Sequence, residues 1–333
     1  MAFGSFAAIC NAAPLPLCAL VGEPRGAGPA CYARNIELAN TLIFEGAAAV
    51  VQLAALVMVG VMLANIGAKY TAVGRREMAT FLHLYVLLTA VTLVLDAGVV
   101  GPPAPVYAWA VAAQCGLVTA TSWCLLGNGA VGFQLAEDGT RLSLALLRGS
   151  SLLVFLASSG VALGTFRGWI GSTAALFAVL YVAPAAILAA YAASQVYLVL
   201  ATLRDRWPLF DIAFGVFFFA LGQVALHALS PAICARANHY LDGLFFVAVA
   251  NLLAVMMVYK VPPPACCPAH PQFWDSITKE DLEFSVSMKA NVWEVKERLL
   301  PDDDRRPYDY SDSAASLQTS AYTGHPAHAA SEY

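Results

Sequence analysis

A chain of 333 residues that is 59% hydrophobic and only 12% charged cannot be an ordinary soluble domain, which carries about 25% charged residues to coat its surface. Lipid has to be part of its solvent. The net charge of −4 is small and argues against nucleic acid as a partner.

The N-terminus, Met1 to Gly22, is apolar but lacks a basic leading region and is interrupted by Asn11, Pro14 and Pro16. It reads as an extracytoplasmic tail rather than a cleaved signal peptide. A helix needs about 20 apolar residues to cross a hydrocarbon layer of about 30 Å, and seven stretches qualify. They run Leu42–Ile66, Thr80–Val100, Tyr107–Gly127, Leu142–Leu163, Ile170–Val196, Leu209–Leu229 and Tyr240–Tyr259. The third can continue towards Gln134. The fifth contains Pro184, tolerable as a kink where a neighbouring group satisfies the freed carbonyl. Connections are short, so successive helices are expected to be antiparallel neighbours in one bundle. Past Lys260 the chain turns Pro-rich, then amphipathic, then acidic and rich in Ser, Ala and Tyr, with too little apolar surface to fold alone.

Basic residues beside the spans set the orientation. Lys69, Arg75, Arg76, Arg141, Arg204, Arg206 and Lys260 fall on one side, and Arg25, Arg34, Arg167 and Arg236 on the other. The richer side is the cytosolic one, so the N-terminus is expected in the lumen and the C-terminus in the cytosol. The expected architecture is an all-α polytopic membrane bundle of about seven transmembrane helices. Its parts are a lumenal N-terminal tail (1–35), the seven-helix domain (36–260) and a cytosolic tail (261–333). Within that tail, 274–286 is a short amphipathic motif and 287–333 lacks a core. Cys10, Cys18, Cys31 and Cys234 then share the oxidising side. They are candidate disulfide cysteines with three possible pairings, which spacing does not distinguish. Cys115 and Cys124 lie inside the third helix, where Cys acts as a small hydrophobe.

Ionisable groups inside a bilayer default to functional hypotheses. Glu45, Asp96, His227 and Asp242 fall near lumenal helix ends, with His239 just outside, whereas His83, Arg148 and Asp211 fall near cytosolic ends. Acidic and His groups gathered at one level could hold Zn²⁺ and activate water, as in an intramembrane hydrolase. No helix, however, offers two His at i, i+4 on one face, and interhelical hydrogen bonding is the simpler reading. Gln52, Gln114, Gln223 and Asn251 are the neutral polar counterparts. In the sixth helix, Pro208 suits the first helical turn and Trp207 the headgroup belt. Asp211, Gly215 and Gly222 follow at i, i+4 and i+11, a small polar face opposite a Phe-rich one. Small residues let helices approach closely in lipid. That face is expected to pack within the bundle or to receive a helix of another protein, with Gln223, Asp242 and Asn251 as further contact candidates.

The sixth segment from Asp205 to Phe219, followed by Gly222-Gln223, resembles the same stretch of the fungal chitin synthase export chaperones. The resemblance extends to Met1-Ala2-Phe3-Gly4, Cys10-Asn11, Cys31-Tyr32-Ala33-Arg34, Ile36 to Thr41, Phe44-Glu45-Gly46 and Tyr70 to Arg75. It continues through Asp96-Ala97-Gly98, Val131 to Leu135, His239 to Phe246, Asn251 to Lys260 and Trp274 to Phe284. It spans about residues 1 to 286 in order. It implies a seven-span protein of the endoplasmic reticulum membrane, acting without a cofactor as a dedicated chaperone. The implied client is a chitin synthase, which the chaperone folds and releases for export, so that chitin reaches the cell wall.

Two features depart from the family pattern. Residues past Met288 match no part of it. Val261 to Gln272 interrupt a join that normally runs from Lys260 almost directly to Trp274. This insert reads equally as a translated intron and as a genuine linker, which places Cys266 and Cys267, otherwise palmitoylation candidates, in question. Asp275 or Ser276 can cap a short helix in which Ile277, Leu282 and Phe284 interleave with Lys279, Glu280, Asp281 and Glu283. With Trp274, this segment is a candidate contact for the client or for vesicle coat components, and Asp281-Leu282-Glu283 fits a diacidic export pattern. Two rival functions start from the same helices. A seven-helix receptor would share the topology, but the third helix lacks an acidic-Arg switch pair and the seventh an Asn-Pro break. A metal-dependent intramembrane hydrolase is the other.

Overall fold

The computed structural model describes residues 4–21, 29–38, 41–68, 74–131, 133, 140–202 and 207–259. Arg25, Lys69, Arg204, Arg206, Lys260, the insert Val261–Gln272 and the amphipathic motif Trp274–Phe284 lie outside these residues, as does the side chain of Trp207.

The chain begins with two short helices, α1 (Ala7–Ala12) and α2 (Cys18–Val21), and a small antiparallel hairpin of β1 (Ile36–Leu38) and β2 (Thr41–Ile43). The bundle follows: α3 (Gly46–Ala68), α4 (Arg75–Asp96), α5 (Tyr107–Val131) and α6 (Arg141–Phe166). Next come α7 (Ala174–Phe177) continuing into α8 (Ala183–Thr202), α9 (Trp207–Val224) continuing into α10 (Ser230–Arg236), and α11 (Gly243–Val258). The pairs α7–α8 and α9–α10 are each one rod interrupted by a wide π-helical turn, Ala178–Val182 and Ala225–Leu229.

Six of these rods are long and apolar enough to cross a membrane, with lengths of 22 to 29 residues, or about 33 to 44 Å at 1.5 Å per residue. The seventh, α11, has 16 residues and measures about 24 Å.

Several boundaries differ from the sequence expectation, each for a local reason. The first span starts at Gly46 rather than Leu42, because Thr41–Ile43 pairs with Ile36–Leu38 and Glu45 takes the left-handed conformation, φ 50°. The second ends at Asp96 rather than Val100, where Gly98 turns the chain at φ 74°. The sixth continues to Arg236 instead of stopping at Leu229. Both π turns end two residues before a proline, Pro184 and Pro231. Proline lacks an N–H and its ring collides with the carbonyl one turn back. Widening that turn lets the rod pass the proline unbroken.

Helix α5 is the hub, packing against α4, α6 and α8, while α11 packs against α9 and α3. One core cluster joins Val59, Met62, Met78, Leu82, Cys124 and Val255. A second, at the opposite end, joins Leu95, Tyr107, Val111, Cys115 and Leu176 to Phe6, Leu17 and the Cys10–Cys18 pair. The outward faces carry Leu152, Leu153 and Leu156 on α6 and Phe210, Phe214 and Phe217 on α9, as expected where the surroundings are hydrocarbon rather than water.

Candidate functional site

The N-terminal segment packs onto the end of the bundle where α3, α5 and α11 begin. Phe6, Cys10, Ala13, Leu17 and Cys18 are all buried. Phe6 sits edge-on to Phe177, with ring centroids 6.0 Å apart. Thr173 donates to the Gly4 carbonyl at 2.7 Å, and the Tyr107 hydroxyl donates to the Pro16 carbonyl at 2.7 Å. These bonds bind the segment to α5 and α7 at several points, which its apolar composition alone did not disclose.

Of the three possible cysteine pairings, the structure contains Cys10–Cys18 and Cys31–Cys234, with Cα separations of 5.5 and 6.1 Å. The second bridge belongs to a larger clamp between residues 31–34 and the turn after α10. Nδ1–H of His239 donates to the Tyr32 carbonyl at 2.9 Å, and the backbone N–H of Arg34 donates to the His239 carbonyl at 2.7 Å. The Arg34 guanidinium lies over the Tyr240 ring, 4.9 Å from its centroid, a cation–π contact. Asn238 and His239 both hold positive φ, 50° and 65°, which folds the turn back far enough to meet the segment. Cys31, Cys234 and His239 are the one group among the described residues at metal-ligand spacing, their ligand atoms lying within 4.8 Å of one another. The two sulfurs are joined to each other. Cys115 and Cys124 are buried free thiols.

Beneath the clamp lie buried carboxyl groups on three helix ends: Glu45 before α3, Asp96 closing α4 and Asp242 before α11. Gln52, nearly two turns inside α3, donates its Nε2 to Asp96 Oδ2 at 2.7 Å. Asp242 caps α11 by accepting from the Phe245 N–H at 3.2 Å, a normal use of Asp at a helix start. Glu45 and Asp242 share a side-chain hydrogen bond, which two carboxyl groups can make only with a proton between them. Burial first, and then the neighbouring Asp242 carboxylate, push Glu45 well above the usual carboxylate range. Burial also raises Asp242. Through the Gln52–Asp96 bond and the Glu45–Asp242 contact the group ties three helix ends together.

Not every polar residue expected at this level is here. His227 lies on the π turn after α9, packed edge-on against Tyr181 at 5.4 Å, away from the carboxyl groups. His239 belongs to the clamp. The small face of α9 lies against α11: a Cβ on Gly222 would stand 2.8 Å from Ala250 Cβ, and one on Gly215 3.6 Å from Met257 Cβ. Asp211 and Gln223 are half-buried on α9. Asn251 is half-buried on α11, with its Oδ1 buried and unpaired. Of the six contact candidates, Gly215 and Gly222 thus lie on the α9–α11 seam and Asp242 lies in the carboxyl group at the start of α11.

A family profile described as chitin synthase export chaperone matches residues 2–288. A chitin synthase export chaperone of Fusarium oxysporum f. sp. lycopersici is 53% identical over 330 residues, covering 96% of this chain and 95% of its own. The protein of that name from Aspergillus fumigatus is 52% identical over 332 residues, covering 97% and 96%. The one from Neurospora crassa is 53% identical over 322 residues, covering 93% and 87%. Coverage of this extent runs past residue 288, so the tail beyond Met288, which the sequence reading left unmatched, aligns in part with the relatives. No solved structure matches the chain.

Proposed function

This chain belongs to the chitin synthase export chaperone family, and we propose that it binds a multi-spanning chitin synthase in the endoplasmic reticulum membrane and makes it competent for export. The observation that carries this reading is the near-complete alignment with relatives bearing that name, at about half identity. A bundle made almost wholly of membrane-length helices suits a client that is itself embedded in lipid. The chain acts by stoichiometric binding rather than by turnover. Its polar groups lie on several helices and at both ends of the bundle, and the carboxyl groups that do meet are buried and engaged in a helix cap and the Gln52 bond, whereas a reaction needs groups converging on a substrate at about 3 Å.

In this reading α11 completes a seventh span, with its 16 residues matched by local thinning of the bilayer. The N-terminal cap and both disulfides face the lumen, where oxidation is favoured. The loops bearing Arg75, Arg76 and Arg141 face the cytosol with residues 261–333. The motif Trp274–Phe284 contacts the client or the vesicle coat. The chain carries no Asn-x-Ser/Thr acceptor, so an engineered one reports topology. Placed near Gly28 it should be glycosylated, and placed near Ser316 it should not.

The function itself is tested by following a tagged chitin synthase in cells with and without this protein. Retention inside the cell on deletion, together with co-purification of synthase and chaperone from detergent extracts, is the expected result. Normal delivery of the synthase in the deletion strain overturns the reading.

A further inference from the structure

Arg148 lies on the outward face of α6, seven residues from its start, or about 10 Å along the axis. A charged group at that depth normally faces the bundle interior and is paired. Arg148 does neither. Its guanidinium makes one hydrogen bond among the described residues, from Nε to Thr80 Oγ1 on α4 at 3.3 Å. The carboxylate nearest in sequence to this site on α4, Glu77, is turned inward, fully buried, and accepts from Ser143. The two terminal nitrogens of Arg148 are thus left as a fork for an anion from outside the chain.

Two neighbours decide what kind of anion fits. His83 stands one turn beyond Thr80 and is also exposed; eight residues into α4, it lies about 12 Å from that helix's start. Thr80 is level with the Arg148 guanidinium, so His83 lies deeper along α4, and an imidazole on a short side chain cannot snorkel towards lipid phosphates as a long arginine can. The polar strip is therefore deeper than a headgroup site requires. Gly149, beside Arg148, is exposed and has nothing within 4 Å of where its Cβ would be. A small residue at such a point lets another helix come close. An outward charge, a polar group deeper still and an open glycine together describe a helix-docking face.

We propose that Arg148, held by Thr80 and flanked by His83 and Gly149, docks a membrane helix of the client that carries a carboxylate side chain. This rests on the reading above that the client is a chitin synthase.

The test uses the full-length tagged protein captured from detergent-solubilised membranes. The co-purifying synthase is quantified against the captured protein, and the co-purifying phospholipid is measured by mass spectrometry. R148E should lower synthase capture about tenfold, which corresponds to about 1.4 kcal/mol, and R148K should retain most of it. Intramembrane acidic residues of the synthase, changed one at a time to lysine, should include one that restores capture by R148E. R148Q provides the same comparison if R148E does not accumulate. Capture of the synthase by R148E and R148Q at the normal level overturns the proposal, and so does a loss confined to bound anionic phospholipid. If the unaltered protein captures no synthase, the client reading itself falls, and the docking face with it.

Discussion

The Thr119 hydroxyl on α5 donates to the Val179 carbonyl at 3.1 Å, on the π turn that precedes Pro184. In a π turn each N–H bonds to the carbonyl five residues back, so Val179 is the acceptor that Pro184 cannot supply with a donor. A residue from a different helix fills that vacancy. Interhelical hydrogen bonds in lipid contribute about 0.6–2 kcal/mol, so Thr119→Val should lower stability by about that amount. In a Pro184→Ala background the same change should cost much less, because an alanine at that position restores the missing N–H. A double-mutant cycle of thermal unfolding in detergent checks this; equal costs in both backgrounds would disprove the link.

The two glycines facing α11 should behave differently. A methyl at Gly222 would sit 2.8 Å from Ala250 Cβ, whereas one at Gly215 would meet nothing nearer than 3.6 Å. Gly222→Ala should therefore loosen the α9–α11 seam by about 1–3 kcal/mol, while Gly215→Ala should be close to neutral. The measurement is the melting temperature of each purified variant. Equal tolerance of both alanines would mean that the seam is not closely packed.

Peptide mapping without reduction should recover Cys10 linked to Cys18 and Cys31 linked to Cys234. The two bridges close loops of very different size, with sequence separations of 8 and 203. The larger constraint on the unfolded chain should make Cys31→Ser more costly than Cys10→Ser, with about 2–4 kcal/mol typical of a native bridge. A peptide joining Cys18 to Cys31 would refute the pairing.

Glu45 supplies a pH dependence with a definite sign. Its carboxyl is held above its ordinary range by burial and by Asp242, so the folded protein binds a proton that the unfolded chain releases at lower pH. Stability from this group is present at acidic pH and declines as pH rises above about 5, the upper edge of the ordinary carboxylate range. Glu45→Gln should flatten the fall in melting temperature on the alkaline side. A variant whose pH profile overlays the unaltered protein would show that the proton lies elsewhere.

Much of the bundle was legible because membrane helices announce themselves by length and apolarity, and Pro184 marked its own kink. What was hidden depended on pairing across the chain. Counting along the helices put Glu45, Asp96 and Asp242 at one level, but which of them meet is set by helix ends far apart in sequence. His227 and His239, placed at the same level by counting along helices, separate because a wide turn and a reversed one redirect them. The end of β2, Leu42 and Ile43, was absorbed into the first apolar run, as short β segments are when only hydrophobicity is counted. The four candidate disulfide cysteines were visible, but their partners were set by tertiary contacts such as the Tyr32–His239 bond.

The Cys31–Cys234 bridge also acts on the order of events during synthesis. Cys31 is made early, and its partner lies near the end of the sixth rod, so it has nothing native to join until that rod has been made. Throughout that interval its thiol is open to the wrong partner, and Cys10 and Cys18 are the nearest. Closing Cys10 with Cys18, only eight residues apart, needs no helix in place and would remove both competitors. The short loop thereby keeps the long one from forming incorrectly, and a sealed Cys31 marks a chain whose sixth rod is in place.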